Sequence, residues 1–317
     1  MKKLRNPCIL LAAVHLCFGC VSEGENGPSA VVLFEKEVEG FASGSGMARL
    51  GSRFYAAGDD DPFLWILSAD GRAEGKVALW DSATVKNGRI PKPIKPDFEA
   101  VTLFPYRGDT VILVFGSGSR SPGRDIIMLA DLRRNVERSE ADTAFFRKMR
   151  AEVSPYLNLE GAAYRSGELI MLNRADNRTI RIPERAFSAF LNSGNPDTLT
   201  FQVHRYALPH IAGDSATFSG ASVMSDGHTL LFCASVEVTQ DAVEDGEISG
   251  SFIGILDLDR PEQPPAVARV FKEDGRPYLG KIEAAEGIFL DDGSIAVTAI
   301  TDNDDGSTKF LQVNFRP

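Results

Sequence analysis

The stretch KPDFEAVTLF (residues 95–104) is a mainly apolar run with one glutamate near its start, and two other parts of the chain resemble it. These are LNLEGAAYRSGELIML (157–172) and KIEAAEGIFLDDGSIAV (281–297). In two further stretches a serine followed by glycine stands at the corresponding place. The five polar residues, each before a small residue and at nearly even intervals, are Ser45, Glu99, Glu160, Ser219 and Glu286. Such a recurrence indicates a repeated structural unit.

Each of these positions opens a pattern of short apolar runs separated by turns. The first turn contains glycine, which supplies the positive φ of a tight β-hairpin; the glycines are Gly51, Gly108, Gly167, Gly227 and Gly293. A third apolar run follows in every unit, and a fourth follows in units one, three and four. The fifth unit ends at Pro317 before a fourth run, which the N-terminal run AVVLFEKEV (30–38) could supply. A ring closed by the two termini sharing one blade is typical of β-propellers.

The repeat therefore predicts an all-β fold, a β-propeller of five four-stranded blades closed by the N-terminal strand. The segment RSEADTAFFRKMRAEV (138–153) has apolar residues at helical spacing, which predicts a short helical insertion in blade two, and a second short helix is predicted at 185–194. Two alternatives remain open. One is a β-sandwich with fortuitously regular spacing, and the other is a propeller of six blades, if unit two contains a further blade.

The composition limits the classes of function. The 317 residues are 43% hydrophobic and 25% charged, as in globular proteins, and the net charge is −10. A chain this acidic is not expected to bind nucleic acid, because phosphate binding needs clustered Lys and Arg. A cationic ligand, a metal ion or a neutral substrate is easier to accommodate.

The first twenty residues are typical of an export signal. MKKLRNPCILLAAVHLCFGC has a basic start and an apolar core that is too short to span a bilayer. It ends at Cys20 in a pattern that resembles a lipoprotein signal, although Cys17 stands where leucine is usual, and an ordinary cleaved signal peptide is the alternative. We expect a signal peptide at 1–20 lipidated at Cys20, a flexible tether at 21–29 and one propeller domain at 30–317. The protein would then be a monomer in the cell envelope, held to a bacterial membrane only by its lipid and facing the periplasm. Only Cys233 remains in the domain, so no disulfide is expected there.

A propeller would bring the recurring polar residues together. The first strand of each blade lines the channel and the second runs antiparallel to it, so the start of one and the end of the other lie at the same end of the blade. We therefore expect a ligand-binding ring at one mouth of the channel. Its predicted members are Ser45, Asp59, Asp60, Glu99, Arg120, Glu160, Arg174, Ser219, Lys281, Glu283 and Glu286.

Carboxylates gathered in this way repel one another and need compensation. A calcium ion held by Glu99, Glu160 and Glu286 would provide it. Alternatively, Arg120, Arg174 and Lys281 could pair with the acids, or one acid could stay protonated. A purely structural role, in which the glutamates accept hydrogen bonds from amides of neighbouring blades, also remains open.

Three segments, DFEAVTLF, NLEGAAYRSGELIMLNRADN and KIEAAEGIFLDDG, resemble the blade-opening pattern of the esterase-like phytase propellers and of related uncharacterised bacterial propeller lipoproteins. The resemblance implies a secreted or periplasmic propeller with a polar channel mouth, and some relatives have phosphoesterase-type activity. It carries acidic roles over to Glu99, Glu160, Glu283 and Glu286, with Lys281 beside them. Units one and four depart from the pattern, because they have Ser45 and Ser219 where an acid would stand.

Two functional hypotheses follow. In the first, the chain is a binding module that holds a small polar ligand or a divalent cation at the mouth, and an envelope protein could be its partner. In the second, a divalent ion at the mouth polarises a phosphoester and the chain is a phytase-like hydrolase. The sequence assigns no catalytic residue.

Overall fold

The computed structural model describes residues 27–131, 133, 135–139, 142–238, 247–303 and 306–317. The predicted signal peptide, Cys20 and most of the predicted tether lie outside these residues. Among the described residues, no helix is long and apolar enough to cross a membrane.

The described chain is mainly β-structure. Its first half contains β1 (Ser29–Ala42), β2 (Gly44–Leu50), β3 (Arg53–Gly58), β4 (Phe63–Leu67), β5 (Ala73–Ala78), β6 (Phe98–Tyr106), β7 (Asp109–Gly116), β8 (Ile127–Asp131), β9 (Val136–Arg138), α1 (Asp142–Glu152) and β10 (Leu159–Arg165). Its second half contains β11 (Glu168–Asn173), β12 (Arg178–Pro183), α2 (Glu184–Ser193), β13 (Gln202–Arg205), β14 (His210–Ile211), β15 (Asp214–Ser215), β16 (Thr217–Val223), β17 (Thr229–Val238), β18 (Glu247–Asp257), β19 (Ala266–Lys272), β20 (Lys281–Phe289), β21 (Ile295–Asp302) and β22 (Ser307–Arg316).

The main strands form antiparallel groups in chain order. β2–β5, β6–β9 and β10–β13 are separate four-stranded sheets. β16–β19 and β20–β22 belong to one larger sheet, in which β1 pairs antiparallel with β22 and parallel with β19. The N-terminal strand therefore completes the last group, which lacks a fourth strand of its own.

Tight turns connect the first two strands of each group. The clearest is Arg107-Gly108 between β6 and β7, where both residues have positive φ, 52° and 83°. This is the conformation of a two-residue type I′ turn, whose twist matches that of the flanking strands. It returns β7 to the end of the sheet at which β6 began.

The hydrophobic core is divided among the contacts between neighbouring groups. One cluster lies between the first and second groups, and the others lie between each following pair, with the last joining the fifth group to the first. The first strands β2, β6, β10, β16 and β20 contact one another in the same cyclic order. Sheets packed face to face in a ring around their first strands form a propeller-like fold.

The two predicted helices are present. α1 and α2 both pack on the cluster between the second and third groups, to which they contribute Phe145, Phe187 and Phe190, all buried. They thicken this part of the ring and leave the channel to the first strands.

Candidate functional site

Each first strand has a β-bulge near its start. The regular pairing with the second strand skips one residue in every group, and the skipped residues are Ser45, Glu99, Glu160, Ser219 and Glu283. A bulge leaves its extra residue outside the hydrogen-bonded ladder and re-aims its side chain. Residues around all five bulges line the same part of the channel.

The bulges correct the predicted alignment of the last repeat. Glu286 pairs regularly with Thr298, and the pairing is interrupted three residues earlier, between Ile282 and Ala284. The segment IEAAEG contains two acids that each precede a small residue, so the sequence pattern fits Glu283 and Glu286 equally well. Glu283 is thus the counterpart of Glu99 and Glu160, and Glu286 lines a cavity further along the channel.

The small residue after each bulge allows neighbouring first strands to approach closely. A Cβ atom on Gly220 would lie 2.2 Å from the carbonyl oxygen of Glu283, and one on Gly46 would lie 2.7 Å from the Val101 side chain. Real Cβ atoms do not make contacts this short. The pairing of a polar residue with a small one therefore follows from how the ring closes.

The acidic bulge residues converge on the channel axis. One carboxylate oxygen from each of Glu99, Glu160 and Glu283 lies within 4.8 Å of the others. Glu99 belongs to a second such group with Asp59 and Asp97, which flank β3 and β6. The two overlapping groups form the acidic mouth of the channel.

Partly buried cations pair with part of this acidic mouth. Arg174 Nη2 lies 2.6 Å from Glu237 Oε2, and Arg174 Nη1 lies 3.5 Å from Glu160 Oε1. Lys281 Nζ lies 2.7 Å from Glu283 Oε1. The cations therefore compensate Glu160, Glu237 and Glu283, on the side of the mouth formed by the third to fifth groups.

A second set of ion pairs forms on the side of the first two groups. Lys95 pairs with Asp59 and lies 2.9 Å from Asp97 Oδ1. Arg124 Nη1 lies 2.6 Å from Asp97 Oδ2, which also accepts a hydrogen bond from Ser117 at 2.5 Å. Asp97 is buried and has a φ of 60°, a left-handed conformation that is uncommon outside glycine. Backbone strain of this kind is found most often at functional sites.

Several carboxylate oxygens of the mouth lack partners. Among the described residues, Glu99 has no hydrogen bond or ion pair. The negative charge of Glu99 nevertheless helps to raise the pKa of Lys95. Glu283 Oε2 and Asp59 Oδ1 are buried and have no hydrogen-bond partner in the part of the chain that the structure describes. Buried polar atoms are nearly always satisfied in proteins, so these oxygens are the acceptors that a ligand or a proton would satisfy.

The electrostatics of the mouth agree with this deficit. Burial, with repulsion from Glu160, Asp97 and Asp59, raises the pKa of Glu99 well above its usual value. Burial raises the pKa of Glu283 to about 7, although Lys281 partly offsets it. Burial and the charge of Asp59 raise the pKa of Asp302 to about 8.

The cations of the mouth are too few for its acids. Within the described residues, the interacting acids are Asp59, Asp60, Asp97, Glu99, Glu160, Glu237, Glu283 and Asp302, and the cations are Arg89, Lys95, Arg124, Arg174 and Lys281. If all of these groups were ionised, the mouth would be strongly negative. Burial and this excess of negative charge are the causes that raise the pKa values of Glu99, Glu283 and Asp302.

The remaining predicted site residues have other contacts. Ser45 and Ser219 stand at bulges, but their hydroxyl groups donate to backbone carbonyls of Ser43 at 2.9 Å and Ile282 at 2.6 Å. Asp60 pairs with Arg89 at 2.8 Å beside the mouth. Arg120 is exposed and donates to the Pro93 carbonyl at 3.1 Å, so it does not join the acids.

Sequence reasoning did not assign Lys95, Asp97 or Arg124 to the site. Lys95 and Asp97 stand in KPDFEA, immediately before Glu99, and Arg124 stands in the loop that contains Arg120. The repeat could have pointed to Asp97, because every other unit also has a polar residue two positions before its bulge (Ser43, Asn158, Thr217 and Lys281), but Lys95 has no basic counterpart in the other units and Arg124 stands in an irregular loop. A polar residue two positions before a bulge, at the point where a chain enters the mouth, was the only available signal.

The family model described as a family of unknown function (DUF6929) matches residues 40–315. The chain belongs to this family. No curated protein is significantly similar to it. The match spans all five first strands, so the bulges and the acidic mouth lie within the family region.

Solved structures show only distant likeness. Glutaminyl cyclase from Myxococcus xanthus is 10% identical with a TM-score of 0.48, over 91% of this chain and 97% of that chain. The GH43 endo-arabinanase from Bacillus licheniformis is 11% identical with a TM-score of 0.44, over 88% of this chain and 95% of that chain. Similarity at this level does not carry either activity over to the DUF6929 chain.

Proposed function

We propose that this DUF6929 chain is a five-bladed β-propeller that binds a divalent cation at its acidic mouth, and that Ca²⁺ is the preferred ion. The ligands nearest the axis are the carboxylates of Glu99, Glu160 and Glu283. Asp59 and Asp97 flank them and contribute negative charge. An envelope location and a lipid anchor at Cys20 remain part of the proposal, as do monomeric state and an envelope partner, and they rest on the sequence alone.

The unpartnered carboxylate of Glu99 carries the proposal. It lies in both groups of converging acids and has no hydrogen bond or ion pair among the described residues. A bound cation would satisfy it together with Glu283 Oε2, the orphaned oxygen beside it. Ca²⁺ binds oxygen ligands at about 2.3–2.6 Å in flexible geometry, so ligand oxygens up to about 5 Å apart can share one ion.

The surrounding cations support a structural frame for such a site. Arg174 and Lys281 hold Glu160 and Glu283 by one oxygen each, which fixes the carboxylates without using all of their oxygens. Asn158 donates to Glu160 Oε1 at 2.6 Å and further fixes that side chain. Preorganised ligands reduce the entropic cost of binding.

The hydrolase hypothesis lacks a comparable observation. It needs cations free to neutralise a phosphate, yet Arg174 and Lys281 are paired with acids, and Arg120 lies outside the mouth. The excess of acids would also repel a phosphoester. We therefore propose a binding function.

The test is thermal unfolding of the full chain, first with EDTA and then with Ca²⁺ or Mg²⁺. A ligand that binds only the folded state stabilises it, and saturation at about 100 times the dissociation constant would raise the melting temperature by roughly 5 °C. We expect Ca²⁺ to have a larger effect than Mg²⁺, which requires more regular geometry. The variant Glu99→Gln/Glu160→Gln should lose the shift, whereas Glu286→Gln, outside the acidic mouth, should keep it.

Two results would contradict the proposal. One is a melting temperature that Ca²⁺ does not change, and the other is a shift of equal size in the folded double variant. A shift produced by an organic polyamine but not by Ca²⁺ would reassign the acidic mouth to a small polar ligand.

A further inference from the structure

The channel contains a second polar feature, distinct from the acidic mouth. A cavity of about 170 Å³ is lined by residues of all five first strands. The positions three residues after the bulges all contribute to it, and they are Ala48, Thr102, Ala163, Ser222 and Glu286. Four of these side chains are small, so the ring leaves free space around the one carboxylate.

The carboxylate in this cavity is incompletely satisfied. Glu286 Oε1 accepts a hydrogen bond from the backbone N–H of Arg49 at 3.1 Å, and no ion pair joins Glu286 to a cation among the described residues. The Arg49 side chain also lines the cavity and its charge lowers the pKa of Glu286, while its Nε donates to the Gly51 carbonyl at 3.0 Å. The carboxylate therefore has oxygen lone pairs available to a donor inside the cavity.

A second buried group has the same need. Ser222 is only 5% exposed, lines the cavity, and its Oγ has no hydrogen-bond partner within the described residues. Leu103, Tyr164 and Val223 supply apolar surface to the same wall. A cavity that combines apolar walls with a few convergent polar groups is the usual form of a small-molecule site.

We propose that this cavity binds a compact organic cation, whose N–H groups donate to Glu286 and Ser222 while its apolar part contacts Leu103, Tyr164 and Val223. One carboxylate and one hydroxyl do not provide the six or more oxygen ligands that Ca²⁺ takes, so a bare metal ion fits poorly. The volume accommodates an amidinium or a primary ammonium on a small apolar group. This site is independent of the metal proposed for the acidic mouth.

The experiment is isothermal titration of the full chain with benzamidine and with benzamide, its neutral near-isostere. Benzamidinium should bind at least about tenfold more tightly, because a hydrogen bond to a charged group contributes more than one between neutral groups. Glu286→Gln should remove this preference, and Ser222→Ala should weaken binding of benzamidinium. Glu283→Gln is the matched control: it should weaken Ca²⁺ binding at the mouth and leave benzamidinium binding unchanged.

Equal binding of the two probes would overturn the proposal, as would benzamidinium affinity that stays the same in a folded Glu286→Gln variant. Absence of binding at tens of millimolar would also overturn it and would indicate a cavity filled by water alone. Because the Ca²⁺ shift is measured separately, failure here leaves the proposal for the acidic mouth standing, and failure there leaves this one standing.

Discussion

The two ends of the channel are built from equivalent positions of one repeat, yet their chemistry differs. At the bulges, three of the five residues are glutamates, and partly buried cations pair with two of them. Three residues further along, four of the five side chains are small and Glu286 is the only acid. The backbone geometry is shared, so the side chains placed on it decide what each end can bind.

This difference is the reason that we propose a metal ion for one end and an organic cation for the other. The acidic mouth has many oxygens in little space, which is what a divalent ion needs. The cavity has space, apolar walls and only two unsatisfied polar groups, which a bare ion could not use.

The largest loss of stability is expected when the ion-pair network of the acidic mouth is broken. Arg174→Leu would leave Glu160 and Glu237 without their closest cation, and breaking a buried ion pair from one side costs about 3–5 kcal/mol. The free energy of unfolding from denaturant titration measures this cost. The matched control is Arg120→Leu, which removes an exposed arginine that donates to the Pro93 carbonyl and should change stability by about 0.5 kcal/mol or less. If the two variants lost the same free energy of unfolding, the ion pairs of Arg174 would contribute no more to stability than the surface contact of Arg120.

The next largest loss of stability is expected when the close packing of the first strands, on which both ends of the channel depend, is disturbed. Gly220→Ala would place a Cβ 2.2 Å from the Glu283 carbonyl oxygen and 2.8 Å from Cys233 Sγ, so the ring must open locally. Overpacking of this kind costs about 3 kcal/mol, and we expect Ca²⁺ and benzamidinium binding to weaken together. Gly123→Ala is the control, because nothing lies within 4 Å of its Cβ position. If Gly220→Ala unfolded at the same denaturant concentration as the parent chain, the close approach of the first strands would not matter to stability.

The sequence predicted much of this architecture because the repeat is written in short-range patterns. A polar residue before a small one marks the bulge, and a glycine-containing turn marks the hairpin. These two signals were enough to locate the strands β2, β6, β10 and β16 from the sequence. The last repeat was misaligned by three residues, because Glu283-Ala284 and Glu286-Gly287 carry the same pattern. Only the pairing of β20 with β21 distinguishes them.

The partners of the acids were harder to predict. Arg120 and Arg124 stand in one loop, and sequence reasoning chose Arg120, whereas the structure brings Arg124 to Asp97. Which of two nearby arginines turns inward depends on the path of an irregular loop, for which no periodicity exists. The cavity beside Glu286 could not be predicted either, since it results from small side chains on five separate strands.

A smaller change in stability is expected when the pH is varied. Because Ca²⁺ is proposed to bind only at the acidic mouth, it should change the pH dependence that arises there. The pKa of Glu283 is raised from 4.5 to about 7 and that of Asp302 from 3.8 to about 8, so the folded state holds these protons more tightly than the unfolded chain. Their contribution to stability is present below about pH 4 and is lost as pH rises through 7 to 8. In EDTA, the melting temperature should therefore fall between pH 5 and pH 8, roughly the interval in which these groups ionise.

Saturating Ca²⁺ should reduce that fall, because the ion replaces the protons at the acidic mouth. The variant Asp302→Asn should show a flatter pH profile in EDTA, since one of the titrating groups is gone. A melting temperature that rises from pH 5 to pH 8 in EDTA would contradict the direction of these shifts.

The smallest change in stability is expected from a substitution of Glu286, in the cavity further along the channel. Burial raises the pKa of Glu286 to about 7, opposed by the Arg49 backbone N–H and the Arg49 charge, so at pH 8 the carboxylate is ionised in the folded protein at a cost in stability. Glu286→Gln keeps the shape and removes the charge, and it should stabilise the protein at pH 8 by about 1 kcal/mol or less, since the side chain faces an open cavity. At pH 4, where the native residue is already protonated, the same variant should be nearly neutral. Denaturant titrations at the two pH values measure the difference, and Ca²⁺ should not alter it because the proposed metal ligands are the glutamates of the acidic mouth. A pH-independent effect would place the cost of Glu286 in packing rather than in charge.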